Sequence, residues 1–165
     1  MSDWVWLVLL VLLVPFGTLL FRGAPYVPTL HNGLQDLLKR NGVKKGESLL
    51  DVGSGDGAVL KLASNMGLKA IGIEINPVLV LVSNLRLVRV SDAKAKLGNM
   101  WKSDWPPTDI VYVFQQPQHM SDLEKKILET ITKPTLVVSH EFEFEGRKPI
   151  DTTDHFNLYR FTPLA

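Results

Sequence analysis

The segment Leu49-Leu50-Asp51-Val52-Gly53-Ser54-Gly55-Asp56-Gly57 constrains the fold most. It joins a short apolar run, 48–52, to three alternate glycines and then to 58–66, which has the apolar spacing of a helix. The same alternation continues down the chain. Residues 70–75 (AIGIEI) read as a second strand, and Asn76-Pro77 opens a helix with asparagine as cap and proline at its first position. That helix runs to about residue 89 and is followed by a weaker strand at 93–97 and a buried one at 109–114. Ser121-Asp122-Leu123-Glu124 reads as a capping box, with Leu123, Ile127, Leu128 and Ile131 as the apolar face of its helix, and 135–139 is another strand. From Glu141 onward the helical period is absent, which predicts one or two antiparallel edge strands around 156–161. Strands alternating with helices predict an α/β, Rossmann-like, mostly parallel sheet with an antiparallel edge, covered on both faces. Such sheets bind ligands at the carboxyl ends of their strands, beside the first one.

Ahead of this unit lies a different kind of sequence. From Trp4 to Phe21 no residue is charged, a span of about 27 Å as a helix against a bilayer core of roughly 30 Å. The start MSD lacks the positive region of a cleaved signal, so the segment predicts an uncleaved single-pass anchor at 1–22. Asp3 precedes the run, whereas Arg22, Lys39, Arg40, Lys44 and Lys45 follow it. The positive-inside rule then places the rest of the chain on the cytoplasmic or organelle-matrix side. Residues 23–45 form a Pro-punctuated connector and a leading helix with Leu30, Leu34, Leu37 and Leu38 on one face, stopped at Asn41-Gly42. The remaining unit, 46–165, carries the chemistry.

Composition removes several classes of function. A net charge of +1 argues against a protein that neutralises many phosphates of a nucleic acid. The absence of cysteine excludes disulfides, thiolate zinc sites and a cysteine nucleophile. No two of the four histidines lie within five residues, so no local metal motif is present and no metal is expected.

Gly53, Gly55 and Gly57 let the backbone turn sharply and approach a ligand without a Cβ in the way. Twenty-one residues after Gly53, at the end of the next strand, Glu74 is placed to accept from both hydroxyls of a ribose. An adenosine-like cofactor fits both features. Gly53-x-Gly55-x-x-Ala58 also serves as a dinucleotide fingerprint, which keeps a nicotinamide or flavin enzyme open. Asp51 and Asp56 flank the glycines, however, and two acids favour a cationic ligand over a pyrophosphate.

Asp51-Val52-Gly53-Ser54-Gly55-Asp56-Gly57 resembles the glycine motif of class I S-adenosyl-L-methionine (SAM) methyltransferases, and Gly72-Ile73-Glu74-Ile75-Asn76-Pro77 their second-strand motif. More narrowly, the chain is similar to the membrane-anchored, mitochondrial-type protein-lysine methyltransferases that act on the ATP synthase c-subunit and on the adenine nucleotide translocase. The narrower features are the single anchor, Pro25-Tyr26-Val27-Pro28-Thr29, Asn99-Met100-Trp101-Lys102 and Val113-Phe114-Gln115-Gln116-Pro117-Gln118. The resemblance implies a site in which Asp51, Gly53, Gly55 and Gly57 face the methionine part and Glu74 the ribose, with Asn76 beside it. Asn99, Met100 and Trp101 would face the adenine, Asn99 standing as an uncharged acceptor where the family has an acid. Phe114 and the catalytic candidates Gln116, Pro117 and Gln118 would line the methyl-transfer end, and Tyr26, Pro28 and Thr29 would fold over as a substrate lid.

The implied activity is methylation of lysine in a membrane protein by SAM, with the bilayer as a further partner, no nucleic acid and no metal. A lysine side chain, with a pKa of about 10.4, must first lose its proton, which an apolar mouth favours. Glu141 or Glu143 would draw a lysine in, unless they are simply polar residues of an edge strand. His119 is a candidate base or a surface histidine at a helix start. The alternatives are a catalytically inactive SAM- or nucleotide-binding assembly factor at the membrane, a methyltransferase for a small lipid-like acceptor, and a nicotinamide-dependent reductase.

Overall fold

The computed structural model describes Trp4 and residues 31–163. The expected anchor, the connector and the lid residues Tyr26, Pro28 and Thr29 lie outside the described residues. Among the described residues no helix is long and apolar enough to cross a membrane.

The chain begins with α1 (His31–Arg40) and continues β1 (Ser48–Val52), α2 (Ala58–Asn65), β2 (Lys69–Glu74), α3 (Pro77–Arg86), β3 (Ala93–Leu97) and β4 (Ile110–Val113). A 3₁₀ turn, Pro117–His119, leads into α4 (Met120–Thr130), then β5 (Thr135–His140), β6 (Asp151–Thr152) and β7 (Phe156–Phe161). Seven strands form one sheet in the order β3-β2-β1-β4-β5-β7-β6. The first five are mutually parallel and β7 runs antiparallel to β5. The tail therefore supplies two antiparallel strands, but β7 is internal and only β6 forms the edge. The order reverses between β1 and β4, where a crevice opens at the carboxyl ends of the strands.

The alternation of strand residues explains the two cores. On one face, Leu49, Tyr112, Leu136 and Val138 pack with α1 (Leu34, Leu37, Leu38) and α2 (Val59, Leu60, Leu62), while Leu87 seats the end of α3. On the other, Leu50, Val52, Val111, Val113 and Val137 pack with Leu123 and Ile127 of α4 and with Trp105, Phe144, Tyr159 and Phe161. Burying each of these side chains contributes roughly 1.5–3 kcal/mol.

Local chemistry sets the element ends. Asn76 caps α3 as expected, its Oδ1 accepting from the Val78 and Leu79 amides at 2.9 and 3.4 Å. Asn84 in the same helix grips the edge strand, accepting from Ala95 N at 3.0 Å and donating to Ala95 O at 3.1 Å. The expected capping box at Ser121 does not form. Pro117–His119 has already wound the chain, so α4 starts at Met120 and Ser121 lies inside it. Glu124 is released to accept from Arg147 Nε at 2.6 Å. Arg40 clamps α1 to β6 through Asp151, with Nε–Oδ2 at 2.6 Å and Nη2–Oδ1 at 2.8 Å.

Candidate cofactor and methyl-transfer site

The glycine turn leaves β1 at its carboxyl end and is pinned to β2, where Gly53 N donates to Ile73 O at 2.8 Å. A Cβ added at Gly53 or Gly55 would meet nothing within 4 Å, so both open onto free space. Gly57 does a different job. With φ +79 it turns the chain into α2, and a Cβ there would lie 2.2 Å from Ser83 Oγ of α3. Its bareness lets the turn and α3 touch. Sequence reasoning treated the glycines as equivalent; Gly57 is needed for packing. Gly72 is similarly required, since a Cβ there would come within 2.5 Å of the Ser54 Cβ.

Three acids surround this turn and differ sharply in circumstance. Asp56 pairs with Arg86 at 2.6 Å. Glu74, at the end of β2, is buried and accepts from Gly55 N at 2.9 Å through Oε2 and from Asn76 N at 2.8 Å through Oε1. It therefore fixes the turn against β2, and each oxygen retains lone-pair capacity for a ligand hydroxyl. Asp51 is 3% exposed and has no hydrogen bond or ion pair among the described residues. Burial pushes its carboxyl well above the usual carboxylate range, and the charges of Glu74 and Asp56 push it further. A carboxyl held out of water beneath an open glycine turn has the position and chemistry that could receive a cation.

The adenine-end candidates come together at the neighbouring strand ends. Asn99 follows β3, and its Oδ1 accepts from Trp101 N at 2.9 Å, which turns the chain. Met100 is buried in the second core, its carbonyl taking the Trp105 indole N–H at 2.9 Å and its Sδ lying 3.7 Å from Gln115 Nε2. Trp101 sits at the rim, more than a third exposed, with its ring 6.2 Å from that of His119. The core aromatic of this loop is Trp105, which sequence reasoning passed over because nothing in its spacing distinguishes it from Trp101.

Phe114, Gln116, Pro117 and Gln118 extend from the end of β4. Gln118 Nε2 donates to Gln116 Oε1, and Pro117 and Gln118 are exposed. Phe114 is half-buried, stacked with Phe142 at 6.4 Å and tilted against His140 at 4.6 Å. Behind them lies a polar chain that the sequence did not reveal. Tyr112 Oη and His140 Nδ1 are 2.9 Å apart in the interior, His140 Nε2 lies 3.6 Å from Glu141 Oε1, and the same oxygen lies 2.7 Å from His155 Nδ1. Burial lowers the His140 pKa; Glu141 opposes and His155 assists that shift. Glu141 has φ +66, in the left-handed region that only a few per cent of non-glycine residues occupy. Glu143 and His119 are exposed. No cluster of metal-ligand type occurs among the described residues.

A SAM-type group carries a cationic amino acid end, a ribose and an adenine. Asp51, the open space over Gly53 and Gly55, and the spare capacity of Glu74 match the first two in order. A dinucleotide would set a pyrophosphate against the unpaired Asp51.

Comparisons with known proteins identify the family. The model of the ANTKMT methyltransferase domain family matches residues 51–151. An ATP synthase C-subunit lysine N-methyltransferase of Homo sapiens is 34% identical over 146 residues, 86% of this chain and 60% of that protein. A protein-lysine N-methyltransferase of Saccharolobus islandicus (strain REY15A) is 30% identical over 131 residues, 76% of this chain and 81% of that one. The chain spans between 53% and 61% of the length of the human, rat and mouse relatives. Among solved structures, an RNA methyltransferase from Salinibacter ruber in complex with S-adenosyl-L-homocysteine superimposes with a TM-score of 0.73 at 28% identity, over 83% of this chain and 94% of that one. With a family match across more than half its length and relatives of this similarity, the chain belongs to the ANTKMT methyltransferase domain family.

Proposed function

We propose that this chain is a SAM-dependent protein-lysine methyltransferase that works at a membrane. The observation that carries the reading is the buried, unpaired Asp51 carboxylate beneath the open space over Gly53 and Gly55. In this reading Asp51 accepts from the ammonium of the methionine end, Glu74 from the ribose hydroxyls, and Asn99, Met100 and Trp101 bound the adenine. Gly57 and Asn76 act one step back, fixing the turn and the start of α3. When bound, SAM supplies a methyl group already activated on a sulfonium sulfur.

What remains for the protein is to position and dehydrate the acceptor. Phe114 and Phe142 give the methyl-transfer end an apolar wall that favours the neutral amine of a lysine, whose pKa in water is about 10.4. Gln116 and Gln118 offer amide groups at its edge, and Pro117 holds their spacing. Glu141, held at 2.7 Å by His155, is placed to attract the incoming ammonium.

The human relative is named for lysine of the ATP synthase C-subunit, and that name supports a membrane-protein lysine as the acceptor here. Residues 1–22 supply the anchor, 23–45 the connector and leading helix, with Tyr26, Pro28 and Thr29 as lid, and 46–165 the catalytic unit. That unit faces the cytoplasm or organelle matrix.

Calorimetric titration of the full chain with SAM and with NADH, followed by labelled-methyl transfer into purified membranes and peptide mapping, tests this. SAM binding with label on a lysine peptide is the expected result. Label in lipid replaces the acceptor with a lipid-like molecule, and SAM binding without transfer makes the chain an assembly factor. Binding of NADH in place of SAM overturns the reading.

A further inference from the structure

The outward face of α3 is apolar where other helices are polar. Val78, Leu81, Val82 and Leu85 lie on the side opposite Ser83 and the capping Asn76, both of which are buried. Val88, in the turn that follows, extends the stripe. Leu81, Leu85 and Val88 are 60%, 64% and 76% exposed. At the rim of the cofactor site Ile75 and Leu97 continue it, at 62% and 63%. The comparison within the molecule is direct, since α4 presents Ser121, Asp122, Lys125 and Glu129 to solvent and α1 presents Asp36 and Lys39. A helix that is apolar all round normally has something against both sides.

Cations border the stripe. Arg86 and Arg89 stand on α3 and the turn after it with no acid between 75 and 91, whereas Lys94 and Lys96 alternate with the buried Ala93 and Ala95 and so point to the other face of β3. Arg86 pairs with Asp56, while Arg89 has no ion pair among the described residues. Beside the stripe, a cleft of about 400 Å³ lies between α2 and α3, lined by Ala58, Lys61, Leu62, Asn65 and Arg86. It combines two basic side chains with an apolar wall, which suits a phosphate-bearing headgroup.

We infer that this face of α3 lies against an anionic lipid bilayer. The apolar stripe enters the boundary between headgroups and acyl chains. Lys61, Arg86 and Arg89 meet the headgroup layer around it, as in a basic amphipathic interfacial element. Charge complementarity selects this occupant over a second copy of the chain, because two copies would bring the same cations together. It also selects it over residues 4–21, which are uncharged and leave those cations unanswered. This contact is separate from the proposed anchor. It orients the cofactor site, whose rim residues Ile75 and Leu97 begin the stripe, beside the membrane surface.

The full chain contains no cysteine, so one substitution gives one labelling position. Leu85→Cys and, as a second stripe position, Leu81→Cys are labelled with an environment-sensitive fluorophore, with Glu129→Cys on α4 as reference. On adding vesicles of phosphatidylcholine mixed with phosphatidylglycerol, emission from 85 and 81 shifts to the blue and is quenched by brominated acyl chains, while 129 stays in water. Pure phosphatidylcholine vesicles give a several-fold smaller effect. Insertion of residues 4–21 alone would leave 85 and 81 in water, which refutes the inference. So does a blue-shifted signal before vesicles are added: if it vanishes on dilution a second copy covers the stripe, and if it persists residues 4–21 do. An equal effect on neutral vesicles or at position 129 also overturns it. No SAM or acceptor is present, so this result stands or falls independently of the methyl-transfer reading.

Discussion

Replacing Asp51 with asparagine pits the stability of the ligand-free fold against its affinity for cofactor. The carboxylate is buried with no partner among the described residues, and burial raises its pKa. A carboxyl whose folded pKa is raised favours the fold below its unfolded pKa, here 3.8, and loses that contribution as pH rises through the folded pKa. At neutral pH Asp51 is therefore a cost. Asparagine keeps the shape and removes the charge, so Asp51→Asn gains about 1–2 kcal/mol, the difference between burying an unsatisfied ion and an unsatisfied amide. For a domain of this size that raises the melting temperature by roughly 3–8 °C. The bound ammonium, however, loses a charge-assisted hydrogen bond of about 1.5–3 kcal/mol, so the dissociation constant for SAM rises roughly 10- to 150-fold. Wild-type affinity also tightens as pH rises through the Asp51 pKa, because the acid must ionise to receive the cation, and the variant is flat over that range. Thermal melts and calorimetry across pH give both readouts. A variant that melts lower and binds SAM as tightly as wild type refutes the reasoning.

Other substitutions test neighbouring parts of the account. Glu74 accepts from two backbone amides, so Glu74→Gln loses about 1.5–3 kcal/mol of stability and Glu74→Ala roughly twice that, by urea unfolding; each also weakens SAM binding about 10-fold or more. Equal stability of all three proteins would show that Glu74 does not fix the turn. Gly57→Ala forces a left-handed alanine against Ser83 and costs about 2–5 kcal/mol, part of which Ser83→Ala recovers in the double variant. A double variant no better than the single would place the strain elsewhere. Against a burial cost that raises it, Lys133 and the Ser48 N–H and hydroxyl bring Asp109 down to about 2. Its contribution is present above 3.8 and disappears as pH falls towards about 2, so Asp109→Asn costs about 1 kcal/mol at neutral pH and nothing in strong acid. His140 titrates the other way round. Its lowered pKa means that stability present above 6.5 is lost as pH falls through the folded value, and His140→Gln flattens that acid limb in melting experiments.

Much of the fold was legible because its determinants are local. The apolar run 48–52 and the weaker strand expected at 93–97 are β1 and β3 with those bounds, and Asn76-Pro77 started α3 because an asparagine oxygen reaches the amides two and three residues on. What stayed hidden depends on partners far away in sequence. The start of α4 moved because Pro117–His119 pre-wound the chain, making Ser121 an interior residue. β7 became internal because β6, only two residues long, pairs with its outer edge. Composition does not distinguish the buried Trp105 from the rim Trp101, and the contact of Gly57 with Ser83 joins two elements. In the site, the glycines and acids were readable, but their division of labour was not. Arg86 neutralises Asp56, Glu74 takes the Gly55 and Asn76 amides with capacity to spare, and Asp51 has no partner among the described residues. The Tyr112–His140–Glu141–His155 chain joins β4, β5 and the start of β7, so no single stretch of sequence announces it.

A crystal structure of the full chain with S-adenosyl-L-homocysteine tests the central claim most directly. The expected result is the amino group of the ligand on the Asp51 carboxylate and its ribose hydroxyls on Glu74, with the backbone of Gly53 and Gly55 alongside. Ligand bound elsewhere, or a nicotinamide dinucleotide occupying this turn in a parallel experiment, would contradict it.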